Sequence, residues 1–252
     1  MARILITGTS SGIGLATALE LGKAGHKVYA TMRNPARAPE LGRRASAEGL
    51  PISILTMDVD SDQSVSDCFA SVYRQEAHID VLVNNAGVER HGSVEELPVE
   101  AFRATMETNY FGALRAIRQV LPRMRERGSG CIVNVTSVAG KISSSPLGAY
   151  AASKFALEAV SEALAQEMKP FGVRVASPES STRRWRTPST MRLHRGTGRG
   201  GTWPHCSRRL SSMGRRRPPS PRSLETSSKA APGNCGIPPA RMPRHFWPGE
   251  PR

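Results

Sequence analysis

Short apolar runs alternate with stretches of helical spacing along residues 1–176 of the chain. Positions 3–7 form an apolar run closed by Gly8, the pattern of a parallel strand buried on both faces. Residues 13–24 follow with helical spacing, Ile13, Ala16, Leu19 and Leu21 leaning one way, and Gly25 stops them. Apolar runs at 27–31 and 52–57 predict two more strands, separated by a polar segment that reads as a helix. Residues 62–77 predict a helix that Asp62 would cap. A fourth strand over 79–83 ends in Asn84, Asn85, Ala86 and Gly87. A long helix over 99–127 is expected to bend at Pro122. A fifth strand at 131–136 and a helix at 149–168, ended by Pro170 and Gly172, lead to a sixth strand beginning at 173–176. Strands separated by helices of this length predict an α/β fold. The expected form is a doubly wound parallel sheet of Rossmann type, with strand order 3-2-1-4-5-6.

The pattern changes after residue 176. Residues 177–252 hold 15 Arg, 12 Pro, 11 Ser and 8 Gly, no Val, and only five Leu, Ile and Phe together. Such a stretch cannot bury enough apolar surface to offset its ordering entropy, so no packed core is expected there. Charge divides at the same place. Residues 1–176 carry 19 Lys and Arg against 18 Asp and Glu, whereas 177–252 carry 16 against 3. The net charge of +14 therefore describes the tail, and a nucleic-acid-binding reading of the whole chain loses its footing. Two parts are expected: an α/β domain over 1–176, and a basic Arg/Pro/Ser/Gly-rich tail over 177–252.

Other classes fall away. No stretch approaches the ~18–20 consecutive apolar residues that span a bilayer, and the N-terminal apolar run is too short for a secretory leader. Cys68, Cys131, Cys206 and Cys235 show no paired spacing, so no metal site is expected and a reduced, cytoplasmic setting is.

Thr7 to Gly14 carry glycines at 8, 12 and 14, between the first strand and the first helix. Glycine is needed where backbone turns tightly and approaches a pyrophosphate, and a helix N-terminus offers free N–H groups and a positive dipole end. Loops rich in Gly and Ser are common, and the strand-to-helix position is what gives this one meaning.

The spacing T-G-x-x-x-G-x-G resembles the cofactor loop of the short-chain dehydrogenases/reductases. Further matches follow in that family's order. Asn84–Gly87 resembles its N-N-A-G motif, Asn109 falls where it has a catalytic asparagine, Ser137 follows strand five as its catalytic serine does, and Tyr150 with Lys154 matches its Y-x-x-x-K pair. Any one of these alone is noise: a Tyr and Lys four apart are usually an amphipathic helix edge. Together, in order, they are specific, and they cover residues 3–176. The cofactor contacts the resemblance implies are Gly8, Ser10, Ser11, Gly12, Ile13, Gly14, Asp58, Val59, Asn85, Ala86 and Gly87, joined by Tyr150 and Lys154.

Tyr150 and Lys154 lie four apart on a helix, so they share a face. A phenol titrates ordinarily near ~10, and a neighbouring ammonium favours its ionised form. The resemblance implies that Tyr150 exchanges a proton with the carbonyl or alcohol oxygen while Lys154 also holds the nicotinamide ribose. Ser137 would orient that oxygen, and Asn109 would support a water relay behind Lys154. The hydride belongs to the nicotinamide. An NAD-selecting fold puts an acid about 20 residues past the glycines, on the ribose 2′-hydroxyl. Here that place has no acid and offers Arg33, whose guanidinium suits the 2′-phosphate of NADP. NADP is therefore the expected cofactor and NAD the weaker candidate. The run 28–35 is similar to the 17β-hydroxysteroid and retinol dehydrogenase branch.

After strand six the family continues with a Pro-Gly turn, a Thr, a substrate-loop helix pair, another helix and a seventh strand. This chain has Pro178 and Glu179 and no apolar element beyond them. The switch falls inside a strand, where domain boundaries seldom lie, and matches a GC-rich gene read in a shifted frame. The resemblance accordingly implies an incomplete dinucleotide-binding and catalytic domain over 1–176, and the tail is read as a frame-shifted translation. The rival is a true basic tail, with Arg-rich segments at 195–201 and 215–219 for phosphate. The first function class is an NAD(P)-dependent oxidoreductase interconverting an alcohol and a carbonyl, impaired in this chain and acting on a small-molecule substrate. The second is a non-catalytic NADP-binding protein with a nucleic-acid-binding tail. The helices at 99–127 and 149–168 pair between subunits in the family, so a homo-oligomer is expected, and no membrane partner.

Overall fold

The structure, a computed structural model, describes residues 1–177. The expectations placed on the tail lie outside the described residues: its lack of a core, its frame-shifted or nucleic-acid-binding origin, and its two cysteines. Six parallel strands form one sheet in the order β3-β2-β1-β4-β5-β6. They are β1 (Arg3–Thr7), β2 (Lys27–Met32), β3 (Ile52–Thr56), β4 (Val81–Asn84), β5 (Gly130–Asn134) and β6 (Val173–Ala176). This is the expected Rossmann-type order, and its direction reverses at β1, between β2 and β4. The carboxyl ends of β1 and β4 therefore open the crevice where ligands bind in such sheets.

Both faces of the sheet are covered, which is why its strands read as continuous apolar runs. On one face Leu5, Tyr29, Leu82 and Ile132 meet α3 (Asp62–Tyr73), α5 (Gly112–Arg127) and α6 (Gly148–Met168), through Phe69, Val72, Ile117, Val120 and Leu164. On the other, Ile4, Ile6, Val28 and Ala30 meet α1 (Gly12–Lys23) and α2 (Glu40–Ala47), through Ala18, Leu19, Leu21 and Leu41.

Four local expectations need correction. The buried stripe of α1 is Gly14, Ala18, Leu21 and Gly22 with Leu19, while Ile13 is 39% exposed and Ala16 faces solvent. Close packing decides this: a Cβ on Gly22 would lie 2.9 Å from the Ile52 side chain, so small residues mark the contact face. Ser61, not Asp62, caps α3, its hydroxyl accepting from Ser64 N at 3.2 Å. Asp62 turns outward to Arg115 Nε at 2.6 Å. The helix also ends at Tyr73, with Arg74 as its cap, short of residue 77. Finally, the long helix is interrupted not at Pro122, which lies within α5, but at Glu107–Phe111. That segment is a π turn joining α4 (Val99–Met106) to α5.

Candidate active site

The Gly8 turn is fitted to the end of β4 atom by atom. Thr7 Oγ1 accepts from the backbone N–H of Asn85 at 3.0 Å and of Ala86 at 2.9 Å. The Asn85 amide donates back to the carbonyls of Thr7 at 3.0 Å and Gly8 at 2.8 Å. Gly8 has φ +69°, and a Cβ there would sit 2.6 Å from Ala86 Cα. Gly14 packs beneath, where a Cβ would meet the Gly8 carbonyl and the Asn85 amide. Gly12, at φ +57°, has nothing within 4 Å of its Cβ position and leaves the space before α1 open. Ser11 caps α1 without a side-chain bond, and no acid occupies the first turn. The helix therefore presents unpaired donors and uncompensated positive dipole to an anion.

One cleft gathers most of the expected cofactor residues. Gly8, Ser10 and Ser11 form its floor with Asn85, Ala86 and Gly87, and Arg33, Asp58 and Val59 line it from β2 and β3. Gly12, Ile13 and Gly14 build the first turn of α1 and do not line it. Met32, Asp60 and Thr108 line the cleft as well, and the sequence reading passed over them. Thr108 Oγ1 donates to Asp60 Oδ2 at 2.9 Å. Asp58 Oδ1 accepts from Asp60 N at 3.1 Å, and Ser64 Oγ sits 2.9 Å from Asp58 N, so this loop is pinned to α3.

Gly87 joins the cleft to the second cluster: a Cβ there would lie 3.2 Å from Asn109 Oδ1 and 3.7 Å from Lys154 Nζ. Asn109 sits in the π turn, 1% exposed, and its side chain is fully engaged. Its Oδ1 accepts from Val88 N at 2.8 Å, and its Nδ2 donates to Val88 O and Ser153 Oγ, both at 2.9 Å. Ser153 Oγ in turn donates to the Tyr150 carbonyl at 2.7 Å. Thus Ser153, inside the Y-x-x-x-K stretch, couples Asn109 to the helix of Tyr150.

Lys154 is 4% exposed. Its Nζ donates to the Val135 carbonyl at 2.8 Å and lies 5.7 Å from the Tyr150 ring centroid. Burial pushes the Lys154 ammonium down to about 8. Ser137 caps a short 3₁₀ turn, Val138–Gly140, its Oγ accepting from Ala139 N at 3.2 Å. Deeper in the same layer, Asn84 Nδ2 donates to Asn134 Oδ1 at 2.8 Å and Asn134 Nδ2 to Ser161 Oγ at 2.7 Å, tying β4, β5 and α6 together. Asn84 is therefore a buried cross-strand tie, and the cleft begins at Asn85.

Among the described residues no group of His, Cys, Asp and Glu could hold a metal ion, and no helix is long and apolar enough to cross a membrane. Cys68 and Cys131 are buried free thiols, and burial raises Cys68 to about 11.

A parallel doubly wound sheet with a glycine-lined cleft at its reversal point, and beside it the buried Lys154 and Asn109 with the half-buried Tyr150, has the architecture of a dinucleotide-binding fold. The short chain dehydrogenase family model matches residues 2–182, and the chain belongs to that family. It is 40% identical over 174 residues to the uncharacterized oxidoreductase YusZ of Bacillus subtilis (strain 168), covering 68% of this chain and 61% of that protein. To human retinol dehydrogenase 8 it is 39% identical over 180 residues, 70% of this chain and 57% of that one. Among solved structures it resembles a gluconate 5-dehydrogenase from Burkholderia cenocepacia J2315, determined in complex with NADP and tartrate. The identity is 29% and the TM-score 0.65, over 71% of each chain. The chain spans 61% and 57% of the length of these two curated relatives.

Proposed function

We propose that this chain binds NADP(H) and carries the proton-transfer half of a reaction interconverting an alcohol and a carbonyl. The observation that carries the reading is the buried Lys154 ammonium, held beside the Tyr150 ring and one residue's width from the Gly87 floor of the cleft. The residues fit such a cofactor. Gly8, Gly12 and the first turn of α1 suit a pyrophosphate, and Asn85, Ala86 and Gly87 form the floor on which the dinucleotide would lie. Asp58 and Val59 line the same cleft, and their resemblance to the family's adenine contacts supports an adenine beside them. Arg33 lines the same cleft from the end of β2, and a guanidinium there favours a 2′-phosphate over a bare hydroxyl. The cofactor's chemistry is hydride transfer. Tyr150 gives a proton to the carbonyl oxygen during reduction or takes it during oxidation, and Ser137 hydrogen-bonds that oxygen. Lys154 supplies the positive charge beside the phenol, and Asn109 anchors Val88 and Ser153 behind it. The retinol dehydrogenase relative and the NADP-bound structural neighbour support an alcohol–carbonyl substrate and NADP.

The family match ends at residue 182, and we read the basic tail from about residue 177 onward as a frame-shifted translation that leaves cofactor binding ahead of turnover. The family's nicotinamide clamp and substrate cover belong to the part of its sequence that the match does not reach, and reaction requires the two reacting atoms within ~3–3.5 Å. The test is a titration of the chain with NADPH and NADH, paired with Arg33→Ala and a carbonyl panel. NADPH should bind more tightly than NADH, and Arg33→Ala should weaken NADPH by about tenfold while sparing NADH. Equal loss for both removes Arg33 from the 2′-phosphate. Restoring the other frame after codon 176 should raise carbonyl reduction, and full turnover by the present chain would sink the frame-shift reading.

A further inference from the structure

The turn that carries Ser137 is stapled to α6 at both ends. On its upstream side Lys154 Nζ donates to the Val135 carbonyl at 2.8 Å. On its downstream side Lys141 Nζ lies 3.0 Å from Glu158 Oε2 and 3.5 Å from Glu162 Oε1. Between the two, Gly140 rests on the helix. A Cβ there would come within 3.0 Å of the Lys154 carbonyl oxygen and 3.1 Å of Glu158 Cγ. Any larger residue would lift the turn away.

Glu158 is an unusual residue for this place. It is 6% exposed and stands one helical turn past Lys154 and two past Tyr150, on the same face of α6. Its Oε1 is buried and makes no hydrogen bond. A buried carboxylate is costly unless it is paired, and a helix packing only for stability would place an apolar residue here. The charge makes sense as the anchor for Lys141. The hydrogen bond that Lys141 donates to Glu158 raises the Lys141 ammonium above its ordinary value.

We propose that Glu158 and Lys141 are positioning residues, whose ion pair fixes the 137–141 turn on α6 and so aims the Ser137 hydroxyl toward the oxygen that Tyr150 serves. The cap from Ser137 Oγ to Ala139 N makes the hydroxyl's direction a property of that turn. The inference rests on the proposed alcohol–carbonyl reaction for its consequence, but the staple itself can be tested without turnover.

The full chain is prepared as Lys141→Met, Glu158→Gln, the double variant and Lys141→Arg. Amide hydrogen exchange over 138–142 is read beside steady-state carbonyl reduction with NADPH. In Lys141→Met, exchange at 138–142 should quicken by about tenfold while the amides of β5 and the α6 interior keep their protection. The kcat should fall about tenfold to a hundredfold with the KM for NADPH unchanged, since the turn lies outside the cofactor cleft. Glu158→Gln added to Lys141→Met should recover part of the lost protection, because no buried charge is then left alone. Lys141→Arg should keep both protection and kcat. Unaltered exchange and kcat in Lys141→Met and Glu158→Gln, or strictly additive effects in the double variant, would overturn the staple. A chain that binds NADPH but reduces no carbonyl agrees with the reading of the tail given above, and the exchange result then decides the staple alone.

Discussion

The Lys154 ammonium donates to the carbonyl of Val135 at 2.8 Å, so this charge in the second turn of the Tyr150 helix is buried beside the residue that follows β5. Its desolvation has a direct consequence for stability. The folded group titrates at about 8 and the unfolded one at the ordinary 10.5, so between those values the unfolded chain binds more protons. Stability should therefore rise as pH climbs from 8 toward 10.5, by about 3 kcal/mol at most. Denaturant unfolding across that window should show the rise in the native chain and its loss in Lys154→Met.

At the opposite end of the sheet, Glu76 accepts from Lys27 Nζ and Arg3 Nε, each at 2.5 Å, and from Tyr29 OH at 2.9 Å. The hydrogen bond from Lys27, with help from Arg3 and Tyr29, holds its carboxyl down at about 2. A depressed acid stabilises above its unfolded value and loses that contribution as pH falls through the folded one. The window is 4.5 down to 2. Glu76→Gln should cost about 2 kcal/mol at neutral pH and flatten the loss of melting temperature across that window. A variant that melts like the native chain at pH 7 would show that these contacts contribute nothing.

Two glycines of the phosphate loop, Gly8 and Gly12, should respond differently to alanine. Gly8→Ala forces a Cβ to 2.6 Å from Ala86 Cα at a left-handed φ, so backbone must move, at about 2–3 kcal/mol. Gly12→Ala meets nothing and bears only the conformational term of about 1 kcal/mol. Its main effect should be on dinucleotide affinity, because the methyl occupies the open space before α1. Thermal melts and cofactor titration of the two variants separate the cases. Equal destabilisation would contradict the close approach at Gly8.

Ser153→Ala removes the acceptor of the Asn109 amide and the donor to the Tyr150 carbonyl. At a fully buried position this should cost about 1–3 kcal/mol. Because Asn109 also holds Val88, NADPH affinity should weaken along with stability. Urea unfolding reports the first effect and fluorescence titration the second.

Much of the architecture was legible from pattern because the sheet is buried on both faces. Apolar runs such as 3–7 and 79–83, the second observed as a strand over Val81–Asn84, can serve only as interior strands, and the helices between them leave few topologies. Tyr150 and Lys154 were legible because four residues make one helical turn. The rest depends on partners far away in the chain. Thr7 matters through Asn85 and Ala86, and Asn84 through Asn134, links of 78 and 50 residues that no local window contains. Ser153 was overlooked because a serine between Tyr150 and Lys154 looks like filler until Asn109 arrives beside it. The face of α1 was misjudged because hydrophobicity favours Ile13, whereas closeness to Ile52 selects Gly22. At α3 both Ser61 and Asp62 are cap formers, and Arg115 claims the second.

The wide turn at Glu107–Phe111 has an arithmetical consequence. A π turn lodges one residue more than an α turn, so the helix before it and the helix after it are out of phase by about 100°. Thr105 is the buried residue of α4, and Ala113, Ala116, Ile117 and Val120 are buried in α5, each set facing inward only because of that surplus residue. Deleting any single residue of 107–111 would let the hydrogen bonds close regularly and would swing the inner stripe of α5 toward solvent. The helix could then be perfect or the core could be filled, but not both, and the irregular turn is the solution that also leaves Asn109 facing the site.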